Sequence, residues 1–371
     1  MSSEGVFGGW GRRSASGEGA IRTVRGVKHA KAKLLVILLM GSVSLGILVI
    51  MSLTFGTIQI SFLDALSSTT SLILKFGNPA PGNLNELVIY HLRMPRALAV
   101  IAVGAGLSAA GAVMQALIRN PLVDPYITGV SSGASFAVTL AMLGGVFLGG
   151  AFSYFTIPIS AIIGAIGAFF LTMVLAEGAG GKAMSYVLSG VIIGIGLSAG
   201  TTLLMTFNAE NVHMTLFWMF GSFAGIDWTD ALFISIPIAI CLLILLFFAR
   251  DLNTVLLGDE QAQQLGLNTR RLKLAMVILV SVLTAMCVAF CGVIGFVGLI
   301  VPHVARIIIG GDHRLLLPAS MMIGANVLLV ADIACKTLMS PAELPIGAII
   351  AVIGVPFFAY LMLREGKRYA M

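Results

Sequence analysis

The chain has 371 residues, of which 58% are hydrophobic and only 10% charged, and its mean hydropathy is +1.03. Ordinary soluble domains carry about 25% charged residues, so a water-soluble globule is excluded and the chain reads as an all-α polytopic membrane protein. The formal net charge of +6 does not point to nucleic acid, because most basic residues lie between apolar runs.

Residues 1–33 are polar, rich in Gly and Ser, and basic, which reads as a disordered cytoplasmic tail. The apolar run Leu34–Phe55 has about the 20 residues a spanning helix needs. It lacks a small-residue cleavage site, so it reads as a span and not as a signal peptide. Further runs of that kind are 97–117, 126–148, 156–176, 186–207, 231–249, 274–291, 294–309, 316–335 and 347–363, giving about ten transmembrane helices. Residues 34–365 form one permease-sized membrane domain, followed by a short tail, 366–371. Between the spans, 56–96 reads as a long loop with Pro79 and Pro81. Residues 208–230, with Trp218 and Trp228, read as a short interfacial helix and a turn.

The polar run Gly258–Lys273 lies between two charge-free stretches, Ala231–Ala249 and Leu274–Cys291, and must sit in water. Within it, Asp259–Leu265 can form a short amphipathic helix with Gly266 as a left-handed stop. The charge count says which water. With the N-terminal tail inside, 18 of the 22 Lys and Arg fall on cytoplasmic pieces, and only Lys75, Arg93, Arg96 and Lys336 fall outside. That asymmetry places both termini and the loop 250–273 in the cytoplasm of a cell membrane, inner or plasma.

The chemistry that would power transport is missing from the chain. Asp332 is the one acid inside the spans, near an outer end beside Lys336, whereas ion-coupled transporters keep ionisable groups near the midplane. A secondary transporter therefore stands as the more distant alternative. No GxxxxGK[ST] phosphate loop occurs, and no nucleophile–base set gives a catalytic residue. The five histidines are dispersed, the four cysteines (Cys241, Cys287, Cys291, Cys335) are scattered through apolar segments, and Cys287 and Cys291, four apart, have no His or acid beside them, so no metal site is expected. The chain is read as a non-enzyme driven from outside.

Three stretches carry more specific information. The cytoplasmic Glu260-Gln261-Ala262-Gln263-Gln264-Leu265-Gly266 resembles the EAA-x3-G loop of ABC importer permeases, with Gln261 in place of the usual Ala. Arg93-Met94-Pro95-Arg96, Arg119-Asn120-Pro121-Leu122 and Gly129-Val130-Ser131-Ser132-Gly133-Ala134 precede it in the chain. Pro302-His303-Val304-Ala305-Arg306 and Glu343-Leu344-Pro345-Ile346-Gly347 follow it. In that order, these elements resemble the FecCD-type permeases, the membrane subunits of type II ABC importers for iron-siderophores, haem and cobalamin.

The resemblance implies a fold, partners and site residues. It implies a type II ABC importer permease that pairs with a second permease copy. Two cytosolic ATPase subunits would hold ATP and Mg, with no cofactor on this chain, and an extracytoplasmic substrate-binding protein would dock on the other side. Asp259, Glu260, Ala262 and Gly266 would couple to the ATPase. Arg93, Arg96 and Lys336 would dock the binding protein; their alternative is to snorkel to lipid headgroups. Lys182, Ala183, Met184 and Ser185 would form the cytoplasmic gate, although from the residues alone Gly178–Ser185 is a tight turn. The helix Tyr186–Phe207 would line the pathway. An iron chelate is the first expected cargo and cobalamin the second.

Overall fold

A computed structural model of the chain describes residues 17–56, 58–74, 83–143, 154–181, 183–207 and 212–369. The described residues form helices α1 (Gly17–Thr54), α2 (Phe62–Leu74), α3 (Leu84–Val88), α4 (Met94–Ile118), α5 (Val130–Leu143), α6 (Thr156–Gly178), α7 (Ala183–Phe207) and α8 (Val212–Met219). The second half adds α9 (Trp228–Phe247), α10 (Ala249–Leu256), α11 (Asp259–Gln264), α12 (Thr269–Cys291), α13 (Val297–Ile309), α14 (His313–Thr337) and α15 (Ile346–Tyr369). Among the described residues, seven helices are long and apolar enough to cross a membrane, and three shorter apolar ones lie in α5, α13 and α15. Each of the ten expected spans finds its helix, including the short eighth one, α13. The protein is a multi-pass membrane protein.

Two expectations change at the edges. Helix α1 begins at Gly17, so the part of the basic tail that is described continues the first span as a helix. The segment 56–96 is not a plain loop: it holds α2 and α3, and α3 runs through a wide turn at Ile89–Arg93 into α4 without a break. Asn83 starts that helix by accepting from the Glu86 amide at 3.2 Å. The apolar stretch around residues 97–117 was thus only the membrane half of a longer rod.

Helix α4 is the axis of the bundle. Nearly every side chain from Pro95 to Leu117 is buried, against α9, α12, α13 and α14. Alanine, glycine and valine dominate it, and that suits a medium in which helices associate through close packing and not through a hydrophobic drive. At Gly111 an added Cβ would fall on the Gly298 carbonyl of α13, and at Gly104 on Gly324 of α14. Helices α5 and α6 cross in the same way at Gly133 and Gly164, where each would strike the other's carbonyl.

Polar caps set the ends. Asp227 and Asp230 form a reciprocal capping box at α9, Asn268 accepts from the Arg271 amide at 3.0 Å at α12, and Asp312 accepts from the Arg314 amide at 3.0 Å at α14. Each satisfies amides that a helix start leaves orphaned. Helix α4 ends on Arg119 in a left-handed conformation, with φ of 54°. Prolines 302, 318 and 356 lie inside α13, α14 and α15, while Pro121 sits in the turn after α4.

Candidate functional site

Charged side chains collect at the two ends of α4. Its 25 residues at 1.5 Å per residue hold those ends about 37 Å apart.

At the far end lies α11. It is short, as its sequence predicts, and Gly266 follows with φ of +84°. Gly258 precedes it with φ of +117°, so glycine brackets the helix on both sides. Ala262 is fully buried and is the root of the element; the Leu267 amide donates to its carbonyl at 3.0 Å. Glu260 points outward and is exposed. Asp259 is held from two directions, by Arg119 of α4 and by Lys273 of α12 at 2.6 Å. Burial pushes the Asp259 carboxyl up, but the two cations outweigh it and leave its pKa below the ordinary carboxylate value. Gln263 donates to the Thr269 hydroxyl at 3.1 Å, a second stitch to α12. The element therefore presents an exposed acid on a base that is fixed to two membrane helices.

Beside it the chain turns from α6 into α7. Gly180 and Gly181 both take positive φ, and the Gly181 amide closes the turn on Ala176 at 2.9 Å. Ala183, Met184 and Ser185 belong to the first turn of α7 and not to a loop, while Lys182 lies outside the described residues. Met184 is exposed, and the Ser185 hydroxyl donates to the Ala179 carbonyl at 3.0 Å. A polar cavity of 450 Å³ separates this turn from α11. Helix α7 itself is exposed along most of its length. Its Ser198 and Thr202 border a 570 Å³ groove with Gly129, Ser132, Gly190 and Gly194.

At the near end of α4, Arg93, Arg96 and Lys336 lie together, and they do not stand free. Their exposures are 7, 8 and 6%. Arg96 donates through Nε to Asp332 at 2.9 Å and through Nη1 to both oxygens of Glu343 at 2.9 Å. Lys336 pairs with Asp332 at 2.9 Å and donates to the Ser52 hydroxyl at 2.9 Å. Among the described residues, Arg93 donates to backbone carbonyls, those of Leu53, Thr54 and Ile58. Three cations face two carboxylates, and a small cavity of 170 Å³ opens onto the cluster. Snorkelling to headgroups does not describe these residues, because their charged ends turn inward.

Some partners were legible in the sequence and others were not. Asp332 and Lys336 are four apart on one helix, the spacing at which side chains meet. Nothing local announces that Arg119 would hold Asp259, 140 residues away, or that Arg270 would meet Glu177. Among the described residues, no three His, Cys, Asp or Glu side chains gather into a metal-sized cluster.

The chain matches the FecCD transport family over residues 44–364. It is 34% identical to the hemin transport system permease protein HmuU of Yersinia pestis, over 90% of this chain and 94% of that one. It is 38% identical to the vitamin B12 import system permease protein BtuC of Klebsiella pneumoniae, over 76% of this chain and 84% of that one. Among solved structures, it resembles a chain described as a metal-chelate type ABC transporter in an inward-facing conformation. There the TM-score is 0.76 at 33% identity, over 88% of this chain and 99% of the other.

Proposed function

Since the chain belongs to the FecCD transport family and is a permease of an ABC importer, we propose that its cargo is an iron chelate, a siderophore complex or haem. The likeness to HmuU and to a metal-chelate transporter supports that cargo. The likeness to BtuC supports cobalamin as the second reading.

The observation that carries the mechanism is α11. It is a short acidic helix fixed at its root and exposed at Glu260, at the end of the molecule where the basic residues concentrate. The excess of Lys and Arg on that side argues that it is cytoplasmic, as are both termini. Separate ATPase subunits, two per transporter, grip Asp259, Glu260, Ala262 and Gly266 there. They hold ATP and Mg, while this chain binds no cofactor. The rigid stitching of α11 to α4 and α12 supports transmission, since a push on a loose loop would be lost. ATP binding favours one of two bundle arrangements, and that differential affinity supplies the free energy.

On the opposite side an extracytoplasmic binding protein docks at Arg93, Arg96 and Lys336. The excess of one positive charge in that cluster, and the cavity over it, support an acidic partner residue there. A second permease copy completes the pathway along the exposed Ser/Thr/Gly face of α7. The first turn of α7, with Lys182 before it and Ala183, Met184 and Ser185 in it, closes the cytoplasmic side.

Two measurements test this. Replacing Glu260 and Gly266 together abolishes both uptake and substrate-stimulated ATP hydrolysis while the permease still inserts; unaltered uptake overturns the coupling role. Stimulation of ATP hydrolysis across a panel of ferric siderophores, haem and cobalamin, each with its binding protein, identifies the cargo. A response to cobalamin alone overturns the iron-chelate reading.

A further inference from the structure

The carboxylate of Glu177 joins three helices. It stands in the last turn of α6. Its Oε1 accepts from the Tyr186 hydroxyl, in the first turns of α7, at 2.5 Å. Its Oε2 accepts from Arg270 Nη2, in the first turn of α12, at 2.8 Å. Arg270 follows directly on Asn268 and Thr269, the residues that cap α12 and receive the Gln263 stitch from α11. One oxygen thus holds the helix that borders the pathway groove, and the other holds the segment fixed to the ATPase-facing helix. The 450 Å³ cavity lies among these same side chains, bounded by Glu177, Tyr186, Arg270, Asp259 and Lys273. Residues of α11, of the α6–α7 turn and of α12 all border that cavity, and the Glu177 link ties α6 and α7 to α12, to which α11 is itself stitched by Gln263 and Asp259.

We propose that Glu177 is the positioning residue that transmits movement of α11 to α7, with Arg270 and Tyr186 as its two arms. The proposal rests on the reading of α11 as the ATPase contact and of the first turn of α7 as the gate. Single exposed ion pairs are weak and salt-screened. The role asked of this one is directional: it keeps the start of α7 and the start of α12 moving as one body, which needs a maintained geometry more than a large energy. A carboxylate is suited to that, because it accepts on both oxygens at once.

The test uses the assembled transporter in vesicles, with the ratio of cargo imported to ATP hydrolysed as the readout. Glu177→Ala and Arg270→Gln lower that ratio about fivefold, at the low end of ordinary couplings between sites, while ATPase co-purification stays unchanged. Tyr186→Phe lowers it less, since the short α6–α7 turn still joins those two helices, whereas the Arg270 arm is what ties them to α12. The exchange of charges in Glu177→Arg with Arg270→Glu restores part of the loss, which a merely structural defect would not allow. All four native cysteines are buried, so thiols introduced by Glu177→Cys and Arg270→Cys can be bridged selectively with a short bifunctional reagent. A bridged transporter that still imports cargo supports a unit that moves together. Arrest on bridging, an unchanged ratio in Glu177→Ala, or loss of ATPase co-purification in Arg270→Gln each overturns the proposal. If the Glu260 and Gly266 replacements leave ATP hydrolysis and uptake intact, the failure lies with the reading of α11 instead.

Discussion

At the scale of residues, charge placement is the main source of consequence. Asp332 is 1% exposed and faces two cations, Arg96 and Lys336. Removing Asp332 leaves the buried Lys336 desolvated without its counter-charge, while Arg96 keeps Glu343, and breaking a buried pair in this way costs about 3–5 kcal/mol. Asp332→Ala should therefore lower the unfolding free energy of the detergent-solubilised permease by about that margin. Arg93→Gln, whose parent donates to backbone carbonyls, should lower it less. Asp312 gives a pH-dependent case. Hydrogen bonds from Arg314 lead the causes that pull its pKa from the ordinary 3.8 down to about 2, against the opposing effect of burial. A carboxylate whose pKa is depressed on folding stabilises the native state above its unfolded value and loses that contribution as pH falls through its folded one. Asn at an N-cap serves about as well as Asp, so Asp312→Asn isolates the charge. Wild type should be the more stable at pH 5, and the difference should fade as the pH approaches 2. A constant difference over that range would show the charge to be irrelevant.

At the scale of helices, contact between backbones sets the tolerance to substitution. Gly133 and Gly164 approach so closely that a side chain on either drives α5 from α6. Overpacking of this kind costs typically 1–3 kcal/mol, so Gly133→Val should lower thermal stability by about that amount or more. Gly167, on the same α6, has open space where its Cβ would stand. Gly167→Ala should be tolerated, and equal damage from both would refute the packing argument. The helices themselves were legible from apolar runs and from caps such as Asp227, Asn268 and Asp312. The short α11 was legible because a polar segment between two apolar ones has a single way to end at Gly266. The pairing of Arg96 with Glu343 was not, because 247 residues separate them and only the fold brings them together. Nor did the outer position of Arg93, Arg96 and Lys336 reveal their burial: a charge count tells the side of the membrane and not the depth below the surface.

At the scale of the whole molecule, the two charged ends divide the work proposed for them. Among the described residues Arg93 has no carboxylate partner, so docking there should weaken as salt rises, within the screening expected at a Debye length of about 8 Å in physiological salt. Binding-protein affinity measured at two ionic strengths checks this. Arg93→Gln should reduce both the affinity and its salt dependence, and an unchanged slope would place docking elsewhere.

The near-complete enclosure of α4 has a consequence for how the molecule meets its surroundings. Exposed apolar side chains lie on the outer faces of α1, α6 and α9, whereas α4 is almost entirely sheathed by its neighbours. A thinner or thicker bilayer is accommodated by tilt of the helices that feel it. The strain of such mismatch falls on the outer staves of the barrel, while the central mast keeps its length. The distance between the two charged ends is thereby set by peptide geometry and is insulated from the thickness of the membrane around it.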